Sequence, residues 1–293
     1  MSEFDRIEKI KRLIPKLSSN VTVGIGDDAA VIKGNEHEYQ LVTCDCLVEN
    51  VHFIKNKITP SDLGQRAVAI NASDIAAMGG APKYMLVSLI TPKDTPESFV
   101  EELYKGITAA CKKYGIDVIG GNMSSGPAII IDITMLGEIK KENLVLRSGA
   151  KPGDAVLVTG ILGNAPKIPI ARIRESKILG ESEKITAMID LSDGLASDIR
   201  HICTQSNVGV RLYEDKIPRL PGVSLHRALT RGEDYELCFT AKKEDAAHLK
   251  TLVERKTKTP VTIIGEITKS SLILVQPDGK EIPLQQGGWD HFI

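Results

Sequence analysis

Gly24-Ile25-Gly26-Asp27-Asp28-Ala29-Ala30-Val31-Ile32 decides how the first half of this chain is read. Its opening residues fit GxGxxA, the fingerprint of a dinucleotide-binding βαβ unit, but the context does not. The fingerprint needs a helix to begin at the glycines, with its N-terminus aimed at a pyrophosphate. Here Ala30-Val31-Ile32 continues as a strand-like run, and two aspartates would point at the phosphates. The plain reading is a turn between two strand segments, Val21–Ile25 and Ala29–Ile32. No GxxxxGK[ST] loop occurs either, which excludes a P-loop enzyme.

Further along, carboxylates recur where apolar runs meet small residues: Thr43-Cys44-Asp45, Asn71-Ala72-Ser73-Asp74 and Asp190-Leu191-Ser192-Asp193-Gly194. Each alone has a bland explanation. Asp27-Asp28 is a turn, and Ser192 or Asp193 an N-cap bonding first-turn amides. Asp74, at a helix C-terminus, sits against the negative end of the macrodipole and is harder to explain by stability. Capping also leaves Asp190 on the preceding strand unexplained. Taken together, the four segments point to divalent cations holding phosphates. Two unit charges about 4 Å apart repel by roughly 4 kcal/mol at an effective dielectric near 20. Only metal between carboxylate and phosphate reverses that sign, and Mg²⁺ favours one or two carboxylates plus phosphate oxygens. The expectation is an ATP-using phosphoryl-transfer enzyme.

At 293 residues the chain is long enough for two domains. Its net charge of −1 argues against a dedicated nucleic-acid binder. Five scattered cysteines form no CxxC, and Cys44-x-Cys46 reads as two small buried thiols on a strand. No signal-peptide core and no membrane-spanning run is visible, so a reduced, cytoplasmic protein is expected.

Apolar spacing predicts a helix over Phe4–Leu13, a strand at Gln40–Thr43, and a helix through Leu63, Ala67, Ile70 and Ala77 that ends at Gly79-Gly80. A strand at Tyr84–Ile90 follows. Thr95-Pro96 reads as an N-cap with Pro at the first helical position, opening a helix to Gly115. Strands at Asp117–Ile119 and Ala128–Met135 lead to a charged, turn-prone seam between Gly137 and Asp154. Beyond it come strands at Ala155–Thr159 and Thr186–Ile189, a helix from about Ser192 to Gln205, and strands at Val208–Leu212 and Tyr235–Phe239. A helix from Lys243 to about Arg255 and strands near Val261–Ile267 and Ser271–Val275 complete the chain. The fold class is α+β (α/β mixed) in two domains, 1–138 and 148–293. Gly120-Gly121-Asn122 reads as a loop that allows close backbone approach to a ligand, with a plain turn equally admissible. Arg147 is by default a surface residue, and in an acidic site it would offset phosphate charge.

In order, these motifs resemble the thiamine-monophosphate kinases of the aminoimidazole-ribonucleotide-synthetase-like superfamily. The resemblance also runs through Glu49-Asn50-Val51-His52-Phe53, Arg147-Ser148-Gly149, Gly232-Glu233-Asp234-Tyr235-Glu236-Leu237 and Gly288-Trp289-Asp290-His291-Phe292. It implies a homodimer in which N-terminal ATP- and metal-binding domains pair their sheets, with several Mg²⁺ and ATP in a cleft beside the C-terminal domain. Asp27, Thr43, Cys44, Asp45, Asp74, Asn122, Asp190 and Asp193 would surround the metals. Cys44 would contribute its carbonyl. Tyr104, Gly121, Asn122, Arg147 and Ser192 would hold ATP, and His52, Glu233 and Trp289 would hold thiamine monophosphate. The implied reaction is direct in-line transfer to an acceptor that is already a phosphate oxygen, so no residue is expected as general base. Alternatives are a related ATP-dependent synthetase or ligase, or a non-catalytic nucleotide-binding homologue. This chain departs from the resemblance at Asn122, at Met123-Ser124-Ser125-Gly126, and in a shortened stretch over 163–180.

Overall fold

Two mixed sheets, one from each half of the chain, carry the architecture. The computed structural model describes residues 3–289 and Phe292. Asp290 and His291 of the terminal motif lie outside the described residues. The first half contains helix α1 (Glu3–Leu13), strands β1 (Val21–Val23), β2 (Ala30–Lys33) and β3 (Glu38–Val48), helix α2 (Pro60–Ala77) and strand β4 (Ala81–Thr91). Helix α3 (Glu97–Tyr114) and strands β5 (Asp117–Ser125) and β6 (Ile130–Lys140) follow. Its six strands are ordered β1-β2-β3-β6-β4-β5, antiparallel except for the β4–β5 pair. The second half contains β7 (Ala155–Thr159), α4 (Ile173–Glu181), β8 (Ile185–Asp190), α5 (Leu195–Ser206), β9 (Gly209–Tyr213) and α6 (Leu225–Thr230). It closes with β10 (Leu237–Ala241), α7 (Lys243–Thr257), β11 (Val261–Thr268), β12 (Leu272–Val275) and β13 (Glu281–Pro283), in the sheet order β13-β12-β9-β11-β7-β10-β8.

Alternation along the first sheet separates its faces. Leu41, Thr43 and Leu47 on β3, Ile131, Ile133 and Met135 on β6, and Met85, Val87 and Leu89 on β4 turn towards α2 and α3 and are buried. The opposite face carries no helix among the described residues, and leaves Cys44, Cys46, Tyr84 and Leu86 exposed. Cys44 and Cys46 are thus on a strand but not buried, contrary to the sequence reading. A period of two sends both to the open face while Thr43 and Asp45 turn inward.

Helix α2 positions most of the site. Thr59 caps it by accepting from the Asp62 amide at 3.1 Å, and Pro60 opens its first turn. It is buried almost all round because α3 covers one side and the second half another. Gly64 and Gly106 let α2 and α3 touch backbone to backbone. A Cβ at Gly64 would lie 2.2 Å from the Leu103 carbonyl, and one at Gly106 1.9 Å from the Ser61 carbonyl. The halves interlock through apolar side chains, since Ala171 and Tyr235 join the first core while Ala77 and Val145 join the core around Leu157, Leu179 and Phe239. Residues 141–154 are tied down rather than loose: the Val145 amide donates to Met78, and Leu146 accepts from the Met188 amide.

Four local expectations change. Helix α3 begins at Glu97 with Pro96 at its N-cap, because Pro96 is extended (ψ 141°) rather than helical, and the Thr95 hydroxyl is buried with no partner. Gly120-Gly121-Asn122 is not a loop but the middle of β5, paired with Leu86–Ser88. The close approach there is to β4, since a Cβ at Gly121 would lie 1.9 Å from the Val87 carbonyl. β6 continues past Gly137 to Lys140, so the seam opens later than its turn-prone residues suggested. Finally, neither Ser192 nor Asp193 caps α5. Gly194 occupies that position, and Asp198 accepts from the Asp193 and Gly194 amides at 3.2 and 3.0 Å.

Candidate active site

Asp28, Asp74 and Asp190 converge from three elements: the turn before β2, the last turn of α2 and the end of β8. Each offers a carboxylate oxygen within 4.8 Å of the others. At that spacing each ionised pair costs at least about 3 kcal/mol even at an effective dielectric near 20. Burial, then the charges of Asp45, Asp190 and Asp28, pushes the Asp74 carboxyl well above its usual range. Asp190 is raised in the same way by burial and by Asp28. Hydrogen bonds offset part of this. Thr43 Oγ1 donates to Asp74 Oδ2 at 2.6 Å, Ser73 Oγ to Asp190 Oδ2 at 2.5 Å, and Arg147 Nη2 to Asp28 Oδ1 at 2.6 Å. Asp28 Oδ2 is buried with no hydrogen-bond partner. Three carboxylates at this spacing, one of them with an orphaned oxygen, are a donor set for a hard divalent cation.

The metal expectation named Asp27, but within this cluster the side chain is that of Asp28. Asp27 lies beside it, accepting from the Asp28 amide at 3.0 Å and the Arg147 amide at 3.2 Å. Burial, and then Asp28, raise its carboxyl to about 7. Asp45 stands close enough to lift both Asp74 and Asp190, and its amide donates to Asn71 Oδ1 at 3.0 Å. Asp193 follows on the turn, where its carbonyl accepts from the Trp289 amide at 3.1 Å. Cys44 projects its thiol to the opposite face, within 3.2 Å of Asp132 Oδ1.

The ATP-side residues are divided. Arg147 stands at the cluster, and Ser192 lies beside it with its carbonyl accepting from the Glu233 amide at 2.7 Å. Tyr104 lies on α3, packed against the first core. Gly121 and Asn122 are not brought to the cluster. β5 is three strands from β3, ~14 Å away at the usual strand spacing, and the Asn122–Ser88–Asp132–Cys46 row belongs to the open face.

β3 and α2 run antiparallel beside the cluster, with Thr43 at Asp74 and Asp45 at Asn71. The end of β3 therefore lies towards the start of α2. His52, whose Nδ1 accepts from the Val48 amide at 2.9 Å, follows β3 at that end. Glu233 is there too, ion-paired with Arg66 of α2. Trp289 lines a cavity of about 340 Å³ with His226, Arg227, Thr230, Arg231 and Gly288. The shortened stretch over 163–180 is well anchored: Asp234 accepts from the Gly163 and Ala165 amides at 2.6 and 2.8 Å, and Arg172 pairs with Glu236.

Sequence reasoning did not single out Ser73, Asn71, Asp198 or Arg66. The signal for the first two was their place beside Asp74 in one apolar helix, where an uncharged polar group needs a partner.

Residues 26–139 match the AIR synthase related protein N-terminal domain, and residues 168–275 match its C-terminal domain. The two domain matches, on a fold that carries the acidic cluster, thus define an AIR synthase related protein. The chain is 36% identical to the thiamine-monophosphate kinase of Bacillus subtilis (strain 168), over the whole length of both. A solved structure of AaThiL complexed with AMPPCP and TMP superposes with a TM-score of 0.85 at 31% identity, covering 99% of this chain and 97% of that one. The thiamine monophosphate kinase of Aquifex aeolicus superposes at 0.78 with 29% identity, covering 96% and 99%. The chain belongs to the thiamine-monophosphate kinase family.

Proposed function

We propose that this protein transfers the terminal phosphoryl group of ATP to thiamine monophosphate, giving thiamine diphosphate. The observation that carries this is the trio Asp28, Asp74 and Asp190, two of them buried and Asp74 half-buried, drawn from both halves of a chain that resembles a nucleotide- and TMP-bound relative along its whole length. Magnesium held there would neutralise the phosphates and supply Lewis-acid stabilisation of the transferred charge. Asp27, Asp45 and Asp193 border that position, Thr43 and Ser73 orient two of the carboxylates, and Arg147 supplies a cation beside them. The acceptor is an ionised phosphate oxygen at neutral pH, so positioning and charge neutralisation suffice and no base is needed. His52, Glu233 and Trp289 receive the organic part of the acceptor, and Tyr104, Ser192 and Arg147 the nucleotide.

A homodimer completes this reading. The first domain, residues 1–138, binds metal and nucleotide and dimerises, and residues 148–293 form the second. The open sheet face, with Tyr84 and Leu86, and the edge strand β5, exposed along its length with Val118, Ile119 and Met123, offer apolar surface for a second copy. Asn122 lies on that face, where it reaches a metal site only across such an interface.

The test is direct. Protein, MgATP and thiamine monophosphate are incubated and followed by ³¹P NMR. Coupled diphosphate signals are expected to grow as those of ATP decline; folded protein that yields none defeats the proposal.

A further inference from the structure

Helix α2 carries a second charged focus, away from the acidic trio. Arg66 lies on the buried side of α2 with its side chain 7% exposed, and its Nη2 pairs with Glu233 Oε1. Nη1 donates to the Lys167 carbonyl at 3.4 Å, and Nε is buried with no acceptor. A guanidinium so far from water is held by what it organises, because its desolvation is costly. Here it organises three segments at once: α2, residues 163–172 through Lys167, and residues 232–235 through Glu233.

That last segment needs holding. Gly232, Glu233 and Tyr235 all have left-handed backbone, with φ of 67°, 61° and 51°. Residues with a Cβ adopt that conformation only where their surroundings impose it. Glu233 is fixed by its amide on Ser192 and by its carboxylate between Arg66 and Arg231, the latter at 3.7 Å. Tyr235, packed into the first core, locks the far end. Position along α2 separates Arg66 from the acidic trio. It lies eight residues before Asp74, or about 12 Å along the helix axis, at the end where β3 leads into His52.

We infer that Arg66 is a positioning residue for the acceptor: it fixes the Glu233 carboxylate that receives the acceptor's organic part, and so sets acceptor affinity without entering MgATP binding or phosphoryl transfer. This rests on the role given to Glu233 above. Lysine cannot substitute fully, since a point charge lacks the planar fork that reaches Glu233 and the Lys167 carbonyl together.

Steady-state kinetics on the full chain, varying thiamine monophosphate and MgATP separately, test it. Arg66→Met is expected to raise the KM for thiamine monophosphate at least about tenfold, with kcat and the KM for ATP within about threefold of wild type. Arg66→Lys should recover part of the loss. Glu233→Gln should reproduce the same selective rise, and the double variant should be no worse than either single one, because both act through one contact. The shift in melting temperature produced by MgATP should persist in Arg66→Met. Equal rises in both KM values, a fall in kcat alone, or multiplicative effects in the double variant would overturn the inference. If Arg66→Met does not fold, Arg66→Lys and Glu233→Gln decide by the same split. Wild-type protein that turns over no thiamine monophosphate would instead sink the functional reading, which this assay shows separately.

Discussion

Asp190 is 2% exposed and shares its surroundings with Asp28 and Asp74, so ionising all three without a cation opposes folding. Asp190→Asn removes one charge while keeping an acceptor for Ser73. The metal-free variant is expected to melt no lower than wild type, to lose most of the stabilisation that Mg²⁺ gives, and to fall at least about a hundredfold in kcat. Scanning calorimetry with and without Mg²⁺, beside the turnover assay, checks all three. The pH dependence has a definite sign. Asp27 titrates at about 7 in the folded protein against an ordinary 3.8, so folding favours its protonated form. Its contribution to stability is present below the ordinary value and is lost as pH rises through about 7. Asp74 and Asp190 are shifted in the same direction. Metal-free protein should therefore lose melting temperature between about pH 4 and pH 7 more steeply than Asp27→Asn, and added Mg²⁺ should stabilise most at the upper end. Equal slopes for the two proteins would contradict this.

At the scale of elements, α2 makes the site possible, because Arg66, Asn71, Ser73 and Asp74 all project from it. Its seat against α3 depends on two glycines at backbone contact. Gly106→Ala places a methyl 1.9 Å from the Ser61 carbonyl, and a helix backbone cannot yield at one residue. The pair must separate, at a cost of about 2–4 kcal/mol. Urea unfolding should show that loss, and activity should fall as well, because Asp74 moves with the helix. Elements with strong periodicity were legible in the sequence. β7 matches its apolar run at both ends, and α2 and α3 were marked by their spacing and terminal glycines. β5 was cut short because Gly120-Gly121 normally signals a turn. Only the pairing with Val87 shows that these glycines serve a close parallel ladder. Helix α4 (Ile173–Glu181) went unseen because its charges interrupt the apolar stripe, and its buried Glu175 is satisfied by Thr259, 84 positions away. The site was legible as a set of aspartates but not in detail. Whether Asp27 or Asp28 faces Asp74 depends on the pitch of one turn, which composition does not encode.

On the scale of the whole molecule, the geometry of Asn122 carries the strongest consequence. Within one protomer it is separated from Asp74 by three strands and by the thickness of the sheet, because Asp74 lies on the helix-covered face. A metal or nucleotide role for Asn122 therefore requires two chains, each lending its β5 to the other's cluster. In solution the protein should have about twice its 31.8 kDa chain mass by light scattering, and Leu86→Glu on the open face should lower that mass and the activity together. Complementation is the sharper test. Asp74→Asn and Asn122→Arg should each be nearly inactive as homodimers. In a mixed dimer, one site collects both defects and the other collects neither. Equal mixing with free exchange makes about half the dimers mixed, each with one intact site of two, so about a quarter of wild-type activity should return. If Asn122 served its own chain's cluster, every site would keep one lesion and nothing would return. Native mass spectrometry confirming mixed dimers alongside unchanged inactivity would therefore place Asn122 in its own protomer's chemistry or outside the site altogether.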